Sequence, residues 1–235
     1  MEAVVLAGGF GTRLAARLKD TPKPMAPVAG RPFLEYLLTN LSRRGFTRVV
    51  LSVGYLHEVI EQNFGASFAG MKLDYAIEET PLGTGGAIRA ALAWVTQPSV
   101  LVLNGDTYLD ADYAAMMQAH AEAEAALTMA ISQQPDIARY GGVVLEKDEF
   151  VQRVVGFEEK GRSGPGWINA GAYAIARDLA WPPALAEKFS FESDFLMPEV
   201  ARLKPLAFTV AGFFLDIGVP EDLDRAQTAL TDFAR

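Results

Sequence analysis

Strand-length apolar runs alternate with helical apolar stripes along the first half of the chain. Residues 2–6, 48–53 and 99–103 are short and apolar, and the first of them leads directly into glycines. Between two of these runs, the apolar positions 33, 34, 37, 38 and 41 recur at the spacing of one helix face, and Gly45 follows as a stop signal. A repeated strand–helix order predicts a mostly parallel sheet with helices on both faces.

The second half changes to a strand-rich pattern with polar turns between the strands. The predicted strands are residues 2–6, 48–53, 72–78, 99–103, 126–131, 142–146, 151–157, 167–175 and 207–215. The predicted helices are residues 33–44, 57–64, 84–95, 112–124, 191–203 and 220–233. Neither a repeat nor a low-complexity linker divides the chain, so we predict one α/β domain, 1–235, with halves 1–125 and 126–235. We expect a Rossmann-like, mostly parallel central sheet flanked by helices.

Three loops are expected to meet at one edge of this sheet. In open α/β sheets, ligands bind beyond the carboxyl ends of the strands. The loops 7–13, 79–85 and 104–107 all follow predicted strands, so we expect the binding site there. We also expect Asp112 to cap a helix, and His57 and His120 to lie on helix surfaces without a catalytic role.

Composition narrows the class of protein. The chain has 235 residues, of which 50% are hydrophobic, and this length suffices for a sizeable core. Its apolar runs are far shorter than a membrane span and its start lacks a secretion signal, so no membrane partner is expected. The absence of cysteine fits a reducing cytoplasm. A formal net charge of −8 argues against a nucleic-acid partner, and homo-oligomer formation stays open.

A glycine-rich loop follows the first strand. Gly8, Gly9 and Gly11 let backbone N–H groups approach an anion, and Arg13 adds a forked cation that suits phosphate oxygens. The loop is not a dinucleotide fingerprint, because Leu14 stands where a third glycine is needed, and this argues against a dehydrogenase. It is not a Walker loop, because Gly-Lys-Ser/Thr is missing. These residues predict a phosphate cradle, with an ordinary strand-to-helix turn as the alternative.

One lysine and two carboxylates stand out beyond this loop. Lys23 lies between two prolines, which stiffen its loop and favour a defined partner such as a phosphate. Asp106 and Asp216 each end an apolar run, where a metal ligand would be well placed. For a single Asp, a turn or capping role is the commoner one. The pair predicts a magnesium site that phosphates of the substrates complete.

The order of short motifs along the chain resembles the sugar-phosphate nucleotidyltransferase family. The motifs are Leu6-Ala7-Gly8-Gly9-Phe10-Gly11-Thr12-Arg13-Leu14, Pro22-Lys23-Pro24, Pro81-Leu82-Gly83-Thr84-Gly85-Gly86-Ala87, Asn104-Gly105-Asp106, Glu159-Lys160, Asn169-Ala170-Gly171 and Asp216-Ile217-Gly218. The resemblance implies the nucleotide-diphospho-sugar transferase fold with a strand-rich acceptor half. It also implies Mg²⁺ as the cofactor, and a nucleoside triphosphate and a sugar 1-phosphate as the partners. The implied product, an activated sugar, would supply bacterial surface polysaccharide.

The resemblance also assigns site residues. It implies catalytic roles for Arg13, Lys23 and Asp106, and metal binding by Asp106 and Asp216. The nucleotide-binding residues that it implies are Leu6, Gly8, Gly9, Gly11, Thr12, Arg13, Glu78, Gly83 and Thr84. The sugar-phosphate-binding residues that it implies are Gly105, Gly141, Glu159, Lys160 and Asn169. Among these, Glu159 and Asn169 would face sugar hydroxyls, and Lys160 would face the sugar phosphate.

Glu78 bears on the choice of base. A carboxylate only accepts hydrogen bonds, so it matches the N1–H and N2–H₂ donors of guanine and mismatches the carbonyls of uracil and thymine. We therefore favour GTP, and a solvent-facing Glu78 is the alternative. The resemblance, and not Glu78, implies a heptose 1-phosphate as the sugar substrate. Thr84 is expected to cap the following helix. Guanylyl transfer to mannose 1-phosphate, uridylyl transfer to N-acetylmuramate 1-phosphate and a non-catalytic regulatory subunit stay open. The presence of Lys23 and both Asp residues argues against the last of these.

Overall fold

The computed structural model describes residues 1–9, 11, 14–18, 21–147 and 151–234. The strands are β1 (Glu2–Leu6), β2 (Pro27–Val28), β3 (Arg31–Pro32), β4 (Arg48–Val53), β5 (Ser67–Phe68), β6 (Met71–Ile77), β7 (Ser99–Asn104), β8 (Thr107–Leu109), β9 (Leu127–Gln134), β10 (Gly142–Lys147), β11 (Gln152–Glu158), β12 (Gly166–Ala176), β13 (Leu206–Val210) and β14 (Phe214–Asp216). The α-helices are α1 (Ala15–Leu18), α2 (Phe33–Arg43), α3 (His57–Phe64), α4 (Gly83–Ala91), α5 (Tyr113–Glu122), α6 (Met197–Leu203) and α7 (Pro220–Ala229). Short 3-10 turns span Lys23–Met25, Leu92–Trp94 and Thr231–Ala234, and a π-helical turn spans Phe191–Leu196.

Ten strands form one continuous sheet in the order β10-β11-β13-β9-β12-β7-β1-β4-β6-β5. Strands β7, β1, β4 and β6 run parallel, as the strand–helix alternation predicts. Strand β12 runs antiparallel to both of its neighbours, β7 and β9, and β13 lies parallel to β9. The predicted α/β fold class is confirmed, and β12 connects the two halves of the chain through backbone hydrogen bonds.

The core occupies both faces of the sheet. Val5 and Val49 belong to one buried cluster, whereas their chain neighbours Val4 and Val50 belong to the other. This division follows from the alternation of side chains along a strand, and parallel strands covered on both faces are apolar throughout. Helices α2 and α5 pack on the first cluster, and α4 and the π-helical turn pack on the second.

Local sequence signals place several helices as predicted. Asp112 caps α5, because its side chain accepts a hydrogen bond from the Ala115 N–H at 3.0 Å. Gly45 follows α2 with a φ of 79°, which glycine adopts without strain. Helix α7 has Pro220 in its first turn, where the missing N–H would have no helical partner. Among the described residues, no helix is long and apolar enough to cross a membrane.

One predicted strand and one predicted surface residue are wrong. The strand expected over 207–215 is interrupted, and its second part pairs with β8 in a separate two-stranded sheet. The break occurs where Gly212 approaches Asp110, whose carbonyl oxygen would lie 1.8 Å from a Cβ at position 212. His120 is buried rather than on the helix surface, and its Nδ1 lies 2.9 Å from Oγ1 of Thr128. Burial lowers the pKa of His120, so this side chain fills the core as a neutral ring.

Candidate active site

A cavity of about 260 Å³ opens at the carboxyl ends of β1 and β7. Three segments meet around it: the glycines after β1, the turn after β6 and the turn after β7. The predicted convergence of loops 7–13, 79–85 and 104–107 is confirmed for the parts of them that the structure describes. The cavity is lined by Leu6, Gly8, Gly9, Lys23, Pro24, Glu78, Pro81, Gly83, Thr84, Ala87, Asn104, Gly105 and Asp106.

A second cavity, of about 500 Å³, lies toward β10, β11 and β12. Asn104 and Asp106 line both cavities, so the two share a wall. Two adjoining chambers with a common wall suit a reaction in which two bound molecules must meet at one point. The polar side chains in the second cavity include Arg139, Tyr140, Glu158, Glu159, Lys160, Asn169, Glu192 and Asp216.

Lys23 lines the first cavity and contacts the shared wall through Asp106. Its loop is stiffened by Pro22, with a φ of −64°, and by Pro24, which is buried. The Nζ atom of Lys23 lies 2.5 Å from Oδ2 of Asp106, and only 12% of the lysine side chain is exposed. The glycine loop packs directly on the lysine, because a Cβ on Gly11 would come within 3.0 Å of the Lys23 Cβ. One cation is therefore held at the point where the two cavities meet.

Asp216 lies close to Asp106 through a short pair of strands. The pairing of β14 with β8 sets Asp216 opposite Thr107, the residue that follows Asp106. Its Oδ1 accepts a hydrogen bond from the Gly218 N–H at 2.7 Å. Burial raises the pKa of Asp216 and the charge of Asp106 raises it further, whereas Lys23 opposes the shift. Two carboxylates that repel each other in this way would both be stabilised by a cation between them.

The acidic pair fits a divalent metal that arrives with phosphates. Among the described residues, no group of three or more His, Asp or Glu side chains could enclose a metal ion. Mg²⁺ takes six oxygen ligands and is commonly bound by one or two carboxylates together with substrate phosphates. Asp106 and Asp216 could supply the protein ligands of such a site, and the remaining positions would belong to substrate and water.

Glu78 is fixed at the back of the first cavity. Its Oε1 accepts a hydrogen bond from the Ser52 hydroxyl and its Oε2 accepts one from the Leu82 N–H, each at 3.1 Å. Gly8 faces this carboxylate closely, since a Cβ there would lie 2.9 Å from Oε1. Each carboxylate oxygen has two lone pairs, so both oxygens keep acceptor capacity toward a ligand.

The turn that contains Gly83 and Thr84 is shaped by a segment more than a hundred residues away in sequence. Gly83 has a φ of 69°, and a Cβ on it would lie 2.5 Å from the carbonyl oxygen of Phe189. The Gly85 N–H donates to that same oxygen at 3.0 Å. Thr84 does not cap α4, so this prediction is wrong. The helix begins one residue earlier, and the Thr84 hydroxyl oxygen instead accepts a hydrogen bond from the Phe191 N–H at 2.9 Å.

The residues predicted at the sugar phosphate divide between the cavities. Those that line the second cavity are Gly141, Glu159, Lys160 and Asn169. Gly105 lines the first cavity instead, where its N–H donates to the carbonyl oxygen of Leu6 at 3.0 Å. A Cβ on Gly105 would lie 2.4 Å from that oxygen, so the close approach of β1 requires glycine here.

Two of the predicted nucleotide ligands, Thr12 and Arg13, lie outside the described residues. Their neighbour Gly9 is described and lines the first cavity. Among the described residues, none would bring a heavy atom within 4 Å of a Cβ on Gly9, so they leave its backbone open toward the cavity. Of the three described glycines, Gly8 and Gly11 pack against Glu78 and Lys23, whereas a Cβ on Gly9 would meet none of the described side chains.

Residues 2–232 match the nucleotidyl transferase family. The chain belongs to this family. The resemblance inferred from the order of motifs is therefore confirmed, and with it the class of enzyme.

The relatives of this nucleotidyl transferase include two enzymes with one name, D-glycero-α-D-manno-heptose 1-phosphate guanylyltransferase. The chain is 41% identical to the one from Aneurinibacillus thermoaerophilus over 233 residues, which cover 99% of this chain and 100% of the relative. It is 43% identical to the one from Campylobacter jejuni over 222 residues, which cover 94% and 96%. The crystal structure of HddC from Yersinia pseudotuberculosis superposes with a TM-score of 0.84 at 36% identity, over 96% of this chain and 97% of that one. HddC complexed with GMP-PN gives a TM-score of 0.83.

Several residues of this nucleotidyl transferase site escaped the sequence reasoning. Glu192 and Tyr173 both contact Asn169, and Tyr173 is fully buried. Arg139 lines the second cavity and pairs with the buried Asp222 at 2.7 Å. A lone Glu in a predicted helix and a Tyr in a predicted strand carry no signal of their own. The four-residue spacing of Asn169 and Tyr173 on one strand was the available hint that they share a face.

Proposed function

We propose that the protein joins GTP to D-glycero-α-D-manno-heptose 1-phosphate and releases pyrophosphate. The observation that carries this proposal is the wall shared by the two cavities. Asp106, paired there with Lys23, lines both the cavity with the glycine loop and the cavity with the polar side chains. The names of the two relatives that are 41% and 43% identical support the base and the sugar. The protein is further proposed to act in the cytoplasm and to supply surface polysaccharide synthesis.

The proposed reaction is a single in-line displacement. An oxygen of the sugar 1-phosphate attacks the α-phosphorus of GTP, a new P–O bond forms, and the bond from that phosphorus to the bridging oxygen breaks as pyrophosphate leaves with the electron pair. No nucleophilic side chain is needed, since catalysis of this kind rests on positioning and on neutralisation of charge. Lys23 would offset the charge of the two anions, and Asp106 and Asp216 would hold Mg²⁺, which supplies further neutralisation of the phosphates.

The first cavity is proposed to bind the nucleotide. Leu6, Gly8, Gly9 and Gly11 would cradle the triphosphate and sugar of GTP with Thr12 and Arg13, and Gly83 and Thr84 would shape the far wall. Glu78 is proposed to accept from the N1–H and N2–H₂ groups of guanine. Its two carboxylate oxygens are held in place by Ser52 and Leu82, so the acceptor pair is oriented before a base arrives.

The second cavity is proposed to bind the sugar 1-phosphate. Lys160 and the backbone of Gly141 would contact the phosphate, and Glu159 and Asn169 would contact hydroxyl groups. Mannose 1-phosphate is a second candidate substrate. It is favoured by a mannose-1-phosphate guanylyltransferase from Mycobacterium tuberculosis that is 34% identical over 98% of this chain, although this chain covers only 64% of that protein.

The test is an assay of pyrophosphate release with magnesium, in which each of GTP, UTP, dTTP, CTP and ATP is combined with heptose 1-phosphate and with mannose 1-phosphate. Turnover is expected with GTP, and kcat/KM is expected to be highest for the heptose. A further arm combines UTP with N-acetylmuramate 1-phosphate, and turnover in that arm alone would replace guanylyl by uridylyl transfer. A folded protein that binds nucleotide and turns over no pair would point to a regulatory subunit instead.

A further inference from the structure

Glu192 forms a closed hydrogen-bonded group with Asn169 and Tyr173 at the wall of the second cavity. The Asn169 Nδ2 donates to the Tyr173 hydroxyl oxygen at 2.7 Å and to Oε1 of Glu192 at 2.8 Å. The Tyr173 hydroxyl in turn donates to the same Oε1 at 3.3 Å. The Oδ1 of Asn169 accepts from the Gly171 N–H at 3.1 Å. Every hydrogen that Asn169 and Tyr173 can donate from their side chains is therefore used within the protein.

This group presents acceptors, and no donors, to the cavity. Asn169 can still accept a hydrogen bond at Oδ1, which has a second lone pair, but it has no N–H left to give. Glu192 is exposed and lines the cavity, and among the described residues no group donates to its Oε2. A sugar carries many hydroxyl donors, and a hydrogen bond from a neutral hydroxyl to a carboxylate is among the stronger ones.

The backbone around Glu192 is fixed from several sides. The preceding residue, Phe191, donates its N–H to the Thr84 hydroxyl oxygen, and its ring packs edge-on against Tyr173 with 4.9 Å between centroids. Ser190 accepts from the Ser193 N–H and so closes the start of the π-helical turn. An exposed carboxylate whose backbone is held this firmly can orient a ligand, because little ordering remains to be done when the ligand binds.

We propose that Glu192 determines sugar specificity, accepting a hydrogen bond from one sugar hydroxyl at Oε2 while Oε1 holds Asn169 in its acceptor orientation. This role rests on the proposed function, since it requires that the second cavity binds the sugar. Glu192 would thus be a sugar-binding residue outside the motif Asn169-Ala170-Gly171, on an element more than twenty residues further along the chain.

Glu192→Gln provides the direct test. The amide keeps the size of the side chain but replaces the charged acceptor by a neutral group with donors. The KM for the accepted sugar 1-phosphate should rise by about tenfold or more, while the KM for GTP stays within about twofold. Monodeoxy analogues of the sugar 1-phosphate locate the contact. With the unaltered protein, the analogue that lacks the contacted hydroxyl should have a KM raised by the same factor. With the variant, its KM should equal that of the complete sugar 1-phosphate. Glu199→Gln is the matched control, since Glu199 lies in α6 and pairs with Arg202 outside the cavity.

Binding of the product separates this role from the reaction itself. Calorimetry should show that Glu192→Gln lowers the affinity for the GDP-sugar by the same factor as it raises the KM for the sugar 1-phosphate. The affinity for GDP should stay unchanged. Two results would overturn the role of Glu192 and leave the proposed function standing. One is equal affinity of the variant and the unaltered protein for the GDP-sugar. The other is a further rise in KM when the variant is combined with each of the deoxy analogues. If the unaltered protein bound the GDP-sugar no better than GDP and turned over no pair, the proposed function would fail together with this role.

Discussion

Glu78 has two protein partners before any base arrives. Ser52 and Leu82 each donate to one of its carboxylate oxygens, which leaves one further lone pair per oxygen directed elsewhere. A Gln in its place would have a single acceptor oxygen, so its NH₂ would face one of the two donors or the base. Ser52 and Leu82 thus both favour a carboxylate at position 78 and hold its two acceptor oxygens in place.

Glu78→Gln should shift base selectivity away from GTP. The ratio of kcat/KM for GTP to that for UTP is expected to fall by about tenfold or more, because a donor would then face the N1–H and N2–H₂ of guanine. The measurement is pyrophosphate release with GTP, UTP and dTTP at fixed sugar phosphate. An unchanged ratio in a folded variant would remove Glu78 from the choice of base.

Lys23 is expected to act on the rate rather than on stability. Lys23→Met should lower kcat by about 100-fold, because the two anions would meet without the cation at their shared wall. Lys72→Met is the matched control, since Lys72 is a surface lysine in an ion pair with Asp74. Single-turnover kinetics and a thermal melt of both variants check this. Similar kcat values for the two variants would contradict it.

At the scale of elements, the first turn of α4 packs against the segment around Phe189. A Cβ on Gly85 would lie 2.1 Å from Cε2 of Phe189, and Phe189 is itself buried between Trp181 and Arg89. Gly9, in the loop after β1, differs from Gly85, since no described residue would contact a Cβ on it. Gly85 and Gly9, which belong to two glycine-rich motifs of one site, therefore have different physical reasons to be glycine.

Gly85→Ala and Gly9→Ala should separate these reasons. Gly85→Ala is expected to destabilise the fold by about 1–3 kcal/mol, because the Phe189 ring must move from its packed position. Gly9→Ala is expected to leave Tm unchanged and to raise the KM for GTP, because the methyl group enters the space of the ligand. Thermal melts and steady-state kinetics on both variants decide the matter. A loss of Tm in Gly9→Ala would show that this glycine is needed for folding instead.

The N-terminal end of β1 is anchored by a buried carboxylate far from the active site. Glu2 accepts hydrogen bonds from the Thr96 N–H and hydroxyl at 2.8 and 2.6 Å, and from Arg48 at 3.1 Å. Burial disfavours its ionised form, but the hydrogen bonds from Thr96 and Arg48 outweigh this and hold the pKa of Glu2 below its ordinary value of 4.5. A carboxyl group with a lowered pKa stabilises the fold above the ordinary value and loses this contribution as the pH falls through the folded-state pKa.

Glu2→Gln should destabilise the protein by about 1–3 kcal/mol at pH 7, because an amide donor would face the N–H groups that now donate to the carboxylate. The difference from the unaltered protein should narrow as the pH falls below 4.5, since only the unaltered protein takes up a proton at position 2 when it unfolds there. Urea unfolding at a series of pH values measures both. A difference that stays constant down to acid pH would contradict the assigned pKa shift.

At the scale of the whole molecule, one continuous sheet joins the two halves at the pair β12–β7. Strand β12 from the second half lies between β9 and β7, so it is bonded to both halves at once. The second hydrophobic cluster likewise takes Val4 and Val50 from the first half and Met129 and Tyr173 from the second. Separation of the halves would therefore expose buried apolar side chains of both.

The chain should therefore unfold in one transition. Far-UV circular dichroism follows all elements, whereas two of the three tryptophans, Trp167 and Trp181, lie in the second half. Circular dichroism and tryptophan fluorescence should give the same midpoint in a urea titration. Separate midpoints would mean that the halves 1–125 and 126–235 are independent units.

The sequence predicts an element of this fold only where the apolar pattern of that element is long enough to show a period. Long apolar runs such as Ser99–Asn104 and the stripe of α2 located the central sheet and its helices. Strands β8 and β14, of three residues each, are too short for any periodicity. In the site, Lys23 and Asp106 could be predicted because they fall in local motifs. Glu192 could not, because its role arises from contacts across the fold.

The close packing of α4 on the Phe189 segment has a consequence for anyone who surveys variants of this gene. Loss of activity at Gly83, Gly85 or Gly86 would resemble a map of nucleotide contacts, since these positions line or adjoin the first cavity. Much of that loss would instead reflect less folded protein in the cell. A survey that records abundance beside activity would assign those three positions to folding, and Gly9 to the ligand.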